Sequence, residues 1–553
     1  MIKNQLHYTD WKFNFLYGGA ANGKPQWTEL IHNGPLFPES YKKHDIPILI
    51  NDEEVILPEL AEEYATMFAK FIDTDYIKNN TFKKNFWKDF KPTLPKNLNI
   101  NSLDQIDFNL INNYLSKEKE KKKLITKEEK ELIKKEINKF EEPYKYCIID
   151  GIQQSVGSFK IEPPGIFLGR GNHPKSGCIK KRIMPEDVTI NISKNANIPK
   201  PNIKDHNWGE IINDQTVIWL ASWKEDITGK YKYIFTSLDS LFKSKSDESK
   251  FDLARKLKKK VNSIRDDYEK HLIDDNIKYK QLATALYLID KLALRVGNFK
   301  NTKEEADTVG VTSLRVEHIS LLENDNIKID FLGKDSIRYT KKVKVTEQVY
   351  KNIKEFSLDK NKKDDLFDLI TPNLLNDYLT SFMTDLTSKV WRTYNASYLF
   401  QKEIDKITLP KIENIDPNEK INYLIAMVNQ AYISVALLCN HVKNKKNTSD
   451  NVINNINIKI KEFTKKKKKL KEKKGTADKL KKLQAKLKEL KLKKDIKLKM
   501  KNISVETSKK NYIDPRIIFT FIKKFEIEPE KLLDDAFIKR FKWASIVDKD
   551  FKF

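Results

Sequence analysis

Residues 282–298 read LATALYLIDKLALRVGN. Apolar side chains recur there at the spacing of a helix face, and Gly297-Asn298 then interrupts the pattern. The stretch predicts a core helix. Similar periodicity continues from about residue 238 to residue 445, so a mostly helical domain is expected over that range.

Residues 327–339, IKIDFLGKDSIRY, break the helical pattern. Apolar residues alternate with polar ones on both sides of Gly333-Lys334-Asp335, which has the composition of a tight turn. We therefore expect a β-hairpin inside the helical domain, with Lys334 at or near its tip.

Towards the N-terminus, short apolar stretches such as 216–220 alternate with Gly/Pro loops such as 162–165, which is typical of a mixed α+β region. Trp219 and Trp223 are expected in its core. Lys117 to Lys139 are nearly all Lys and Glu, and they predict one solvated helical strut.

Residues 446–505 differ in composition from the rest of the chain. Between residues 461 and 500 there are 19 Lys and five acidic residues, a net charge of +14. Leucines 480, 483, 487 and 490 follow a 3-4-3 spacing, and a similar apolar series precedes Gly475-Thr476. This spacing of apolar residues predicts two helices that pair as an antiparallel coiled coil. A disordered basic tail is the alternative.

The charge of the whole chain, +26 over 553 residues, favours a polyanionic partner. There is no run of 18 apolar residues and neither a signal peptide nor a lipid anchor, so no membrane partner is expected. Three scattered cysteines, the absence of an HExxH motif and the absence of a Walker A loop predict no metal, no cofactor and no nucleotide. Any chemistry must use side chains.

The last 48 residues place Tyr512 just before Asp514-Pro515, an N-cap followed by proline at the first helical position. Metal-free cleavage of a phosphodiester needs such a nucleophile, cations for the phosphorane and an acid for the leaving oxygen. Single residues are weak evidence, since Arg295 and His441 both follow apolar helices and could be helix caps.

Longer motifs carry a resemblance. The chain contains, in order, Lys160 to Gly165, Gly169 to Lys175, Asp290 to Arg295, Phe331 to Tyr339, Arg392 to Ser397, Cys439 to His441 and Ser508 to Arg516. In these strings the chain resembles the eukaryotic type IB DNA topoisomerases, whose catalytic domain is related to the tyrosine recombinases. The resemblance extends from about Trp27 to the end.

The resemblance implies an α+β protein that forms a bilobed clamp around duplex DNA as a monomer. Its expected parts are an N-terminal cap (1–237), a mostly α-helical catalytic core with the hairpin (238–445), a basic coiled-coil linker (446–505) and a C-terminal segment with the nucleophile (506–553).

The family's chemistry can be carried over to matching positions. Tyr512 would form a 3′-phosphotyrosine, and Arg295, Arg392 and His441 would hold the non-bridging oxygens. Lys334 would protonate the leaving 5′ oxygen. The resemblance also implies DNA contacts from a further set: Arg170, Lys232, Lys250, Lys300, Thr308, Lys389, Asp335 and Asn511. Camptothecin would be held by Arg170, Asp335 and Asn511.

The implied activity is relaxation of positive and negative supercoils by transient single-strand cleavage, without ATP or metal. A tyrosine site-specific recombinase and a non-catalytic DNA clamp are the alternatives. Members of the family usually carry a long charged N-terminal region with nuclear-targeting signals. This chain starts almost at the cap, so nuclear import would depend on basic runs such as 465–474. A viral factory or virion is the alternative location if the source is a large DNA virus.

Overall fold

The computed structural model describes residues 25–98, 100–408, 417–443, 449–471 and 477–553. The chain divides into two units: residues 1–243 with 300–307, and residues 244–299 with 308–553. We call them unit 1 and unit 2. Helix and strand are mixed throughout, so the predicted α+β class is confirmed.

The described residues of unit 1 form short strands and four helices. The strands are β1 (Leu30–His32), β2 (Ile48–Ile50), β3 (Glu53–Val55), β4 (Ile106–Asp107), β5 (Tyr146–Ile149), β6 (Ile152–Ser155), β7 (Gly165–Ile166), β8 (Ile179–Lys180), β9 (Val188–Asn191), β10 (Glu210–Ile212), β11 (Trp219–Lys224) and β12 (Tyr231–Phe235). The helices are α1 (Glu59–Ala69), α2 (Asn80–Phe90), α3 (Asn109–Leu124) and α4 (Lys127–Glu141).

The largest sheet of unit 1 has the order β10-β9-β11-β12, with β9 and β10 parallel and the other pairs antiparallel. The buried residues of this sheet, which include Trp223, form one hydrophobic cluster with Trp27 and Leu30. A second cluster joins α1 and α2 through stacked phenylalanines, with the rings of Phe68 and Phe86 4.2 Å apart. Trp219 and Trp223 are buried, as predicted.

The prediction of one helix from Lys117 to Lys139 is wrong. The structure has two helices, because Thr126 caps α4 in a reciprocal pair of hydrogen bonds with Glu129 and thereby ends the preceding helix at Leu124. The predicted solvation is confirmed, since Leu124 and Leu132 are 82% and 61% exposed.

Unit 2 is mostly helical. Its helices are α5 (Leu241–His271, which begins in unit 1), α6 (Ile277–Leu292), α7 (Glu347–Phe356), α8 (Pro372–Phe382), α9 (Ser388–Asp405), α10 (Pro417–Leu438), α11 (Ser449–Lys471), α12 (Ala477–Met500), α13 (Val505–Asn511), α14 (Pro515–Phe525) and α15 (Asp535–Arg540). One sheet has the order β13 (Ile319–Leu321), β14 (Asn326–Gly333) and β15 (Ile337–Lys344).

The predicted hairpin is confirmed. Strands β14 and β15 pair antiparallel from Asn326↔Lys344 to Gly333↔Ile337, and Lys334 begins the turn between them. The turn closes because Asp335 and Ser336 adopt left-handed backbone angles, with φ of 67° and 56°.

Helix α10 is apolar and long enough, between Lys420 and Leu438, to cross a membrane. A core helix has the same composition, and one face of α10 packs in the core of unit 2, where the rings of Tyr432 and Phe400 stack 4.6 Å apart. The apolar character of α10 is therefore explained by packing.

The basic segment forms α11 and α12, and Lys486 Nζ of α12 lies 5.8 Å from the ring centroid of Phe463 in α11. The predicted turn at Gly475-Thr476 lies outside the described residues. The end of α12 belongs to the core of unit 2: Ile496 is buried in it, and Lys499 Nζ donates to Gln430 Oε1 at 3.3 Å.

Candidate active site

Tyr512 is the centre of a cluster of basic side chains in unit 2. It lies between α13 and α14, and its phenol oxygen accepts a hydrogen bond of 3.0 Å from Arg295 Nη1. The guanidinium carbon of Arg392 is 5.1 Å from the centre of the Tyr512 ring. The His441 ring stacks on the same ring at 5.6 Å and 28°.

Arg295 reaches Tyr512 because the chain turns sharply after α6. Ala293 ends that helix with a left-handed φ of 51°. The following segment then lies against residues 310–312, where Val311 N donates to Arg295 O at 2.9 Å. Gly297 and Gly310 meet there backbone to backbone, and a Cβ on Gly310 would lie only 2.4 Å from the Cα of Gly297. Two glycines are therefore required to bring Arg295 into position.

Arg392 of α9 is almost fully buried. Its Nη1 donates to Ala293 O and its Nη2 donates to Cys439 O at 3.3 Å, so one guanidinium caps the C-terminal ends of both α6 and α10. Helix capping was the alternative role predicted for Arg295 and His441, but in the structure the Arg392 side chain caps these two helices.

His441 follows α10 after a left-handed Asn440, with φ of 53°. Its backbone N–H donates to Ala436 O at 2.9 Å, while its Nδ1 lies 2.6 Å from Ser508 Oγ on α13. Burial, followed by the charges of Arg392, Arg295 and Lys334, lowers the pKa of His441 to about 3. The imidazole is therefore neutral at physiological pH.

The Tyr512 phenol experiences opposing effects. Burial disfavours its phenolate, but the charges of Arg392 and Arg295 and the Arg295 hydrogen bond outweigh burial, and the pKa of Tyr512 lies below that of an ordinary tyrosine. The backbone that follows the Tyr512 side chain is fixed, because Ser397 Oγ donates to Tyr512 O and accepts from Asp514 N, both at 3.0 Å.

An open cleft of roughly 140 Å³ lies beside this cluster, and its lining includes Arg295, Lys334, Arg392 and His441. Within the described part of the chain, three buried polar atoms on the lining residues have no hydrogen-bond partner: Tyr339 Oη, Arg392 Nε and His441 Nε2. Unpaired buried polar groups are costly. The cleft is therefore lined by residues with unsatisfied polar groups, and Tyr339 is one that the sequence motifs did not single out.

All five predicted catalytic residues thus lie in or beside one site. The predicted DNA contacts are more dispersed. Asp335 lines the cleft, and Asn511 is exposed next to Tyr512. Elsewhere in unit 2 are Thr308, which is buried, and Lys389, which is half-buried.

Lys250 of α5 is engaged in a different environment. Its Nζ lies 3.1 Å from the buried Asp247 carboxylate, which also pairs with Arg540, and 4.2 Å from the centre of the Phe251 ring. The remaining predicted contacts, Arg170, Lys232 and Lys300, are exposed residues of unit 1.

The arrangement of these side chains favours one kind of reaction. Two guanidiniums and a neutral imidazole surround a phenol of lowered pKa, and a lysine lies on an exposed turn at the mouth of the same cleft. Fixed cations beside an activated oxygen nucleophile suit a protein that attacks phosphate esters with its own side chain.

Family comparisons agree with this class. Residues 25–236 match the DNA binding fragment of eukaryotic DNA topoisomerase I, residues 239–474 match its catalytic core, and residues 484–553 match the C-terminal topoisomerase domain. The chain belongs to the eukaryotic DNA topoisomerase I family, and the resemblance seen in the sequence motifs is confirmed.

Three relatives illustrate the similarity. The chain is 40% identical to DNA topoisomerase 1 beta of Arabidopsis thaliana, with 97% of this chain and 60% of that protein aligned. It is 42% identical to DNA topoisomerase 1 of Caenorhabditis elegans (94% and 66%) and 40% identical to DNA topoisomerase 1 of Homo sapiens (96% and 72%). The chain therefore spans less than two thirds of the length of the first two relatives.

Proposed function

We propose that this protein is a type IB DNA topoisomerase that relaxes positive and negative supercoils without ATP or metal. The observation that carries the proposal is the contact between Tyr512 and Arg295: a buried phenol of lowered pKa accepts a 3.0 Å hydrogen bond from a guanidinium beside a cation-lined cleft. The membership of the family supports the same activity.

Tyr512 gives up its phenolic proton to water, and its Oη attacks the scissile phosphorus. The new Oη–P bond forms as the P–O5′ bond breaks, which leaves a 3′-phosphotyrosine and a free 5′-hydroxyl. The DNA then rotates about the intact strand, and the 5′-hydroxyl attacks in reverse to release Tyr512. Because one phosphate ester replaces another, resealing requires no ATP.

Arg295, Arg392 and His441 hold the non-bridging oxygens while charge develops on the phosphorane. Arg392 suits this role because its hydrogen bonds to Ala293 O and Cys439 O fix the guanidinium before substrate binds, so little reorganisation is needed. Its Nε and the Nε2 of His441 are two of the three unpartnered buried atoms on the described residues that line the cleft, and phosphate oxygens are suitable partners for these two nitrogens.

Lys334 donates the proton that the 5′ oxygen takes up on leaving. Its position at the exposed tip of the β14–β15 hairpin supports this role, because a lysine on a tight turn can reach the groove of a bound duplex. In the reverse reaction the neutral amine accepts the same proton.

The further DNA contacts belong to both units. We assign Arg170, Lys232 and Lys300 of unit 1 and the unit 2 set, Lys250, Thr308, Lys389, Asp335 and Asn511, to the DNA backbone and bases. Lys250 already forms an ion pair with Asp247, so a phosphate must compete with that carboxylate for the Lys250 ammonium.

The architecture that accompanies this function is a monomeric bilobed clamp, divided at residues 237, 445 and 505 as the sequence suggests. Helices α11 and α12 pair as an antiparallel coiled coil, which the contact of Lys486 with Phe463 supports. The nucleus is the proposed location, in keeping with a eukaryotic family whose substrate is DNA.

A supercoiled plasmid tests the proposal against its alternatives. In EDTA and without ATP, the wild-type protein should relax the plasmid, and the Tyr512→Phe variant should bind it with similar affinity but lose activity by orders of magnitude. Recombinant products that require a cognate site would identify a recombinase. Unchanged supercoiling despite tight binding would identify a non-catalytic clamp.

A further inference from the structure

The Ser508 side chain occupies an unusual place beside the nucleophile. It is fully buried in α13, and its hydroxyl lies 2.6 Å from Nδ1 of the buried His441. Its backbone carbonyl accepts hydrogen bonds from Tyr512 N at 3.0 Å and Ile513 N at 3.1 Å. One residue therefore contacts both the imidazole and the chain that carries the phenol.

A neutral imidazole carries one proton on either of its two nitrogens, and the partner of one nitrogen decides which form is present. Here Nδ1 faces a hydroxyl, which can donate or accept. His441 lines the cleft, and its buried Nε2 has no hydrogen-bond partner within the described chain. Of the two ring nitrogens, only Nδ1 therefore has a protein partner among the described residues.

The occupant of the cleft decides between the two forms. A phosphodiester presents only acceptor oxygens, so an Nε2 lone pair would repel it and an Nε2–H would bind it. Nδ1 must then be the acceptor, and the Ser508 hydroxyl must be its donor. Burial, followed by the charges of Arg392, Arg295 and Lys334, disfavours the alternative in which both nitrogens are protonated.

We propose that Ser508 is a positioning residue that donates its hydroxyl proton to His441 Nδ1 and thereby holds the Nε2–H tautomer ready for the scissile phosphate. The inference rests on the proposed topoisomerase function. It adds a residue that acts through His441 and never touches DNA itself.

Single-turnover cleavage of a short duplex that cannot religate tests the proposal. Ser508→Ala should lower the cleavage rate about tenfold, the expected loss for one net hydrogen bond, and should leave DNA affinity unchanged. In a His441→Ala background, Ser508→Ala should cause no further loss, because its target is absent. Ser508→Thr, which keeps the hydroxyl, should recover most of the activity of the wild type.

Ser397→Ala is the matched comparison, because it removes another buried hydroxyl that contacts the nucleophile segment but not His441. Its loss should persist in the His441→Ala background. If Ser508→Ala behaves the same way, Ser508 only packs the segment and the proposal is overturned. If the wild-type protein fails to cleave at all, the proposed function is overturned instead.

A spectroscopic measurement separates tautomer control from packing. In protein labelled with ¹⁵N-histidine and bound to uncleaved duplex, in a Tyr512→Phe background, the His441 signals should show a protonated Nε2 and an unprotonated Nδ1. Ser508→Ala should give a mixture of tautomers. A protonated Nδ1 in the complex with Ser508 intact would contradict the proposal.

Discussion

Replacing Gly310 by alanine should disable the site without touching any proposed catalytic side chain. Gly310 has extended backbone angles that any residue tolerates, so the effect is purely steric. The added Cβ would lie 2.4 Å from Gly297 Cα and 2.7 Å from Arg295 O, whereas ordinary contacts begin at 3.4 Å. The two segments must therefore separate by about 1 Å.

The segment that moves is the one that carries Arg295. On the other side of Gly310, Val309 N is fixed to Leu332 O of β14 at 2.8 Å. A shift of about 1 Å breaks the 3.0 Å contact between Arg295 and Tyr512, and displacements of that size cost about 100-fold in rate. The overpacking should also cost about 1–3 kcal/mol of folding stability.

Single-turnover cleavage and thermal unfolding measure the two effects separately. Gly165→Ala is the control, because no atom lies within 4 Å of its added Cβ, and its rate should match that of the wild type. Wild-type cleavage by a folded Gly310→Ala protein would refute the argument that the glycine contact positions Arg295.

Four further outcomes are expected. His32 is buried and its pKa is lowered from 6.5 to about 4 by burial, so its contribution to stability is complete above pH 6.5 and is lost as the pH falls towards 4. Urea unfolding at pH 7 and pH 5 should show a loss of about 2 kcal/mol that His32→Gln lacks; parallel curves for the two proteins would disprove this. Lys334→Ala should slow cleavage by about 10²–10⁴-fold, and a sulfur leaving group in place of the 5′ oxygen should rescue it but not Tyr512→Phe. Replacing residues 461–488, which contain 14 Lys and three acidic residues, by a short flexible linker keeps Ile496 in the core. That variant should cleave normally but relax plasmids distributively, with a lower optimal KCl concentration; an unchanged salt optimum would mean that these lysines do not contact DNA. Camptothecin should increase the SDS-resistant protein–DNA adduct, and the absence of any increase would argue against the predicted drug contacts.

The sequence by itself determined the features that depend on near neighbours in the chain. The alternation around Gly333 specified the β14–β15 hairpin, and Asp514-Pro515 specified the start of α14, where the Asp514 side chain accepts from Arg516 N. Both predictions are confirmed because strand alternation and helix capping depend on residues that are close together in the chain. The break between α3 and α4 has an equally local signal, the capping pair Thr126 and Glu129. The prediction of one charged helix did not take this pair into account.

The motifs also indicated which side chains would form the site, but they did not indicate which hydrogen bonds and helix-capping contacts each side chain makes. Arg295 meets Tyr512 across 217 positions of the chain, and Ser508 meets His441 across 67. Likewise, only the packing of α6, α9 and α10 makes Arg392 the cap of two helices. Periodicity reports which face of an element is buried, whereas the partner on that face depends on how separate elements pack. The hydrogen bonds and the lowered pKa of Tyr512 were therefore decided by the tertiary structure.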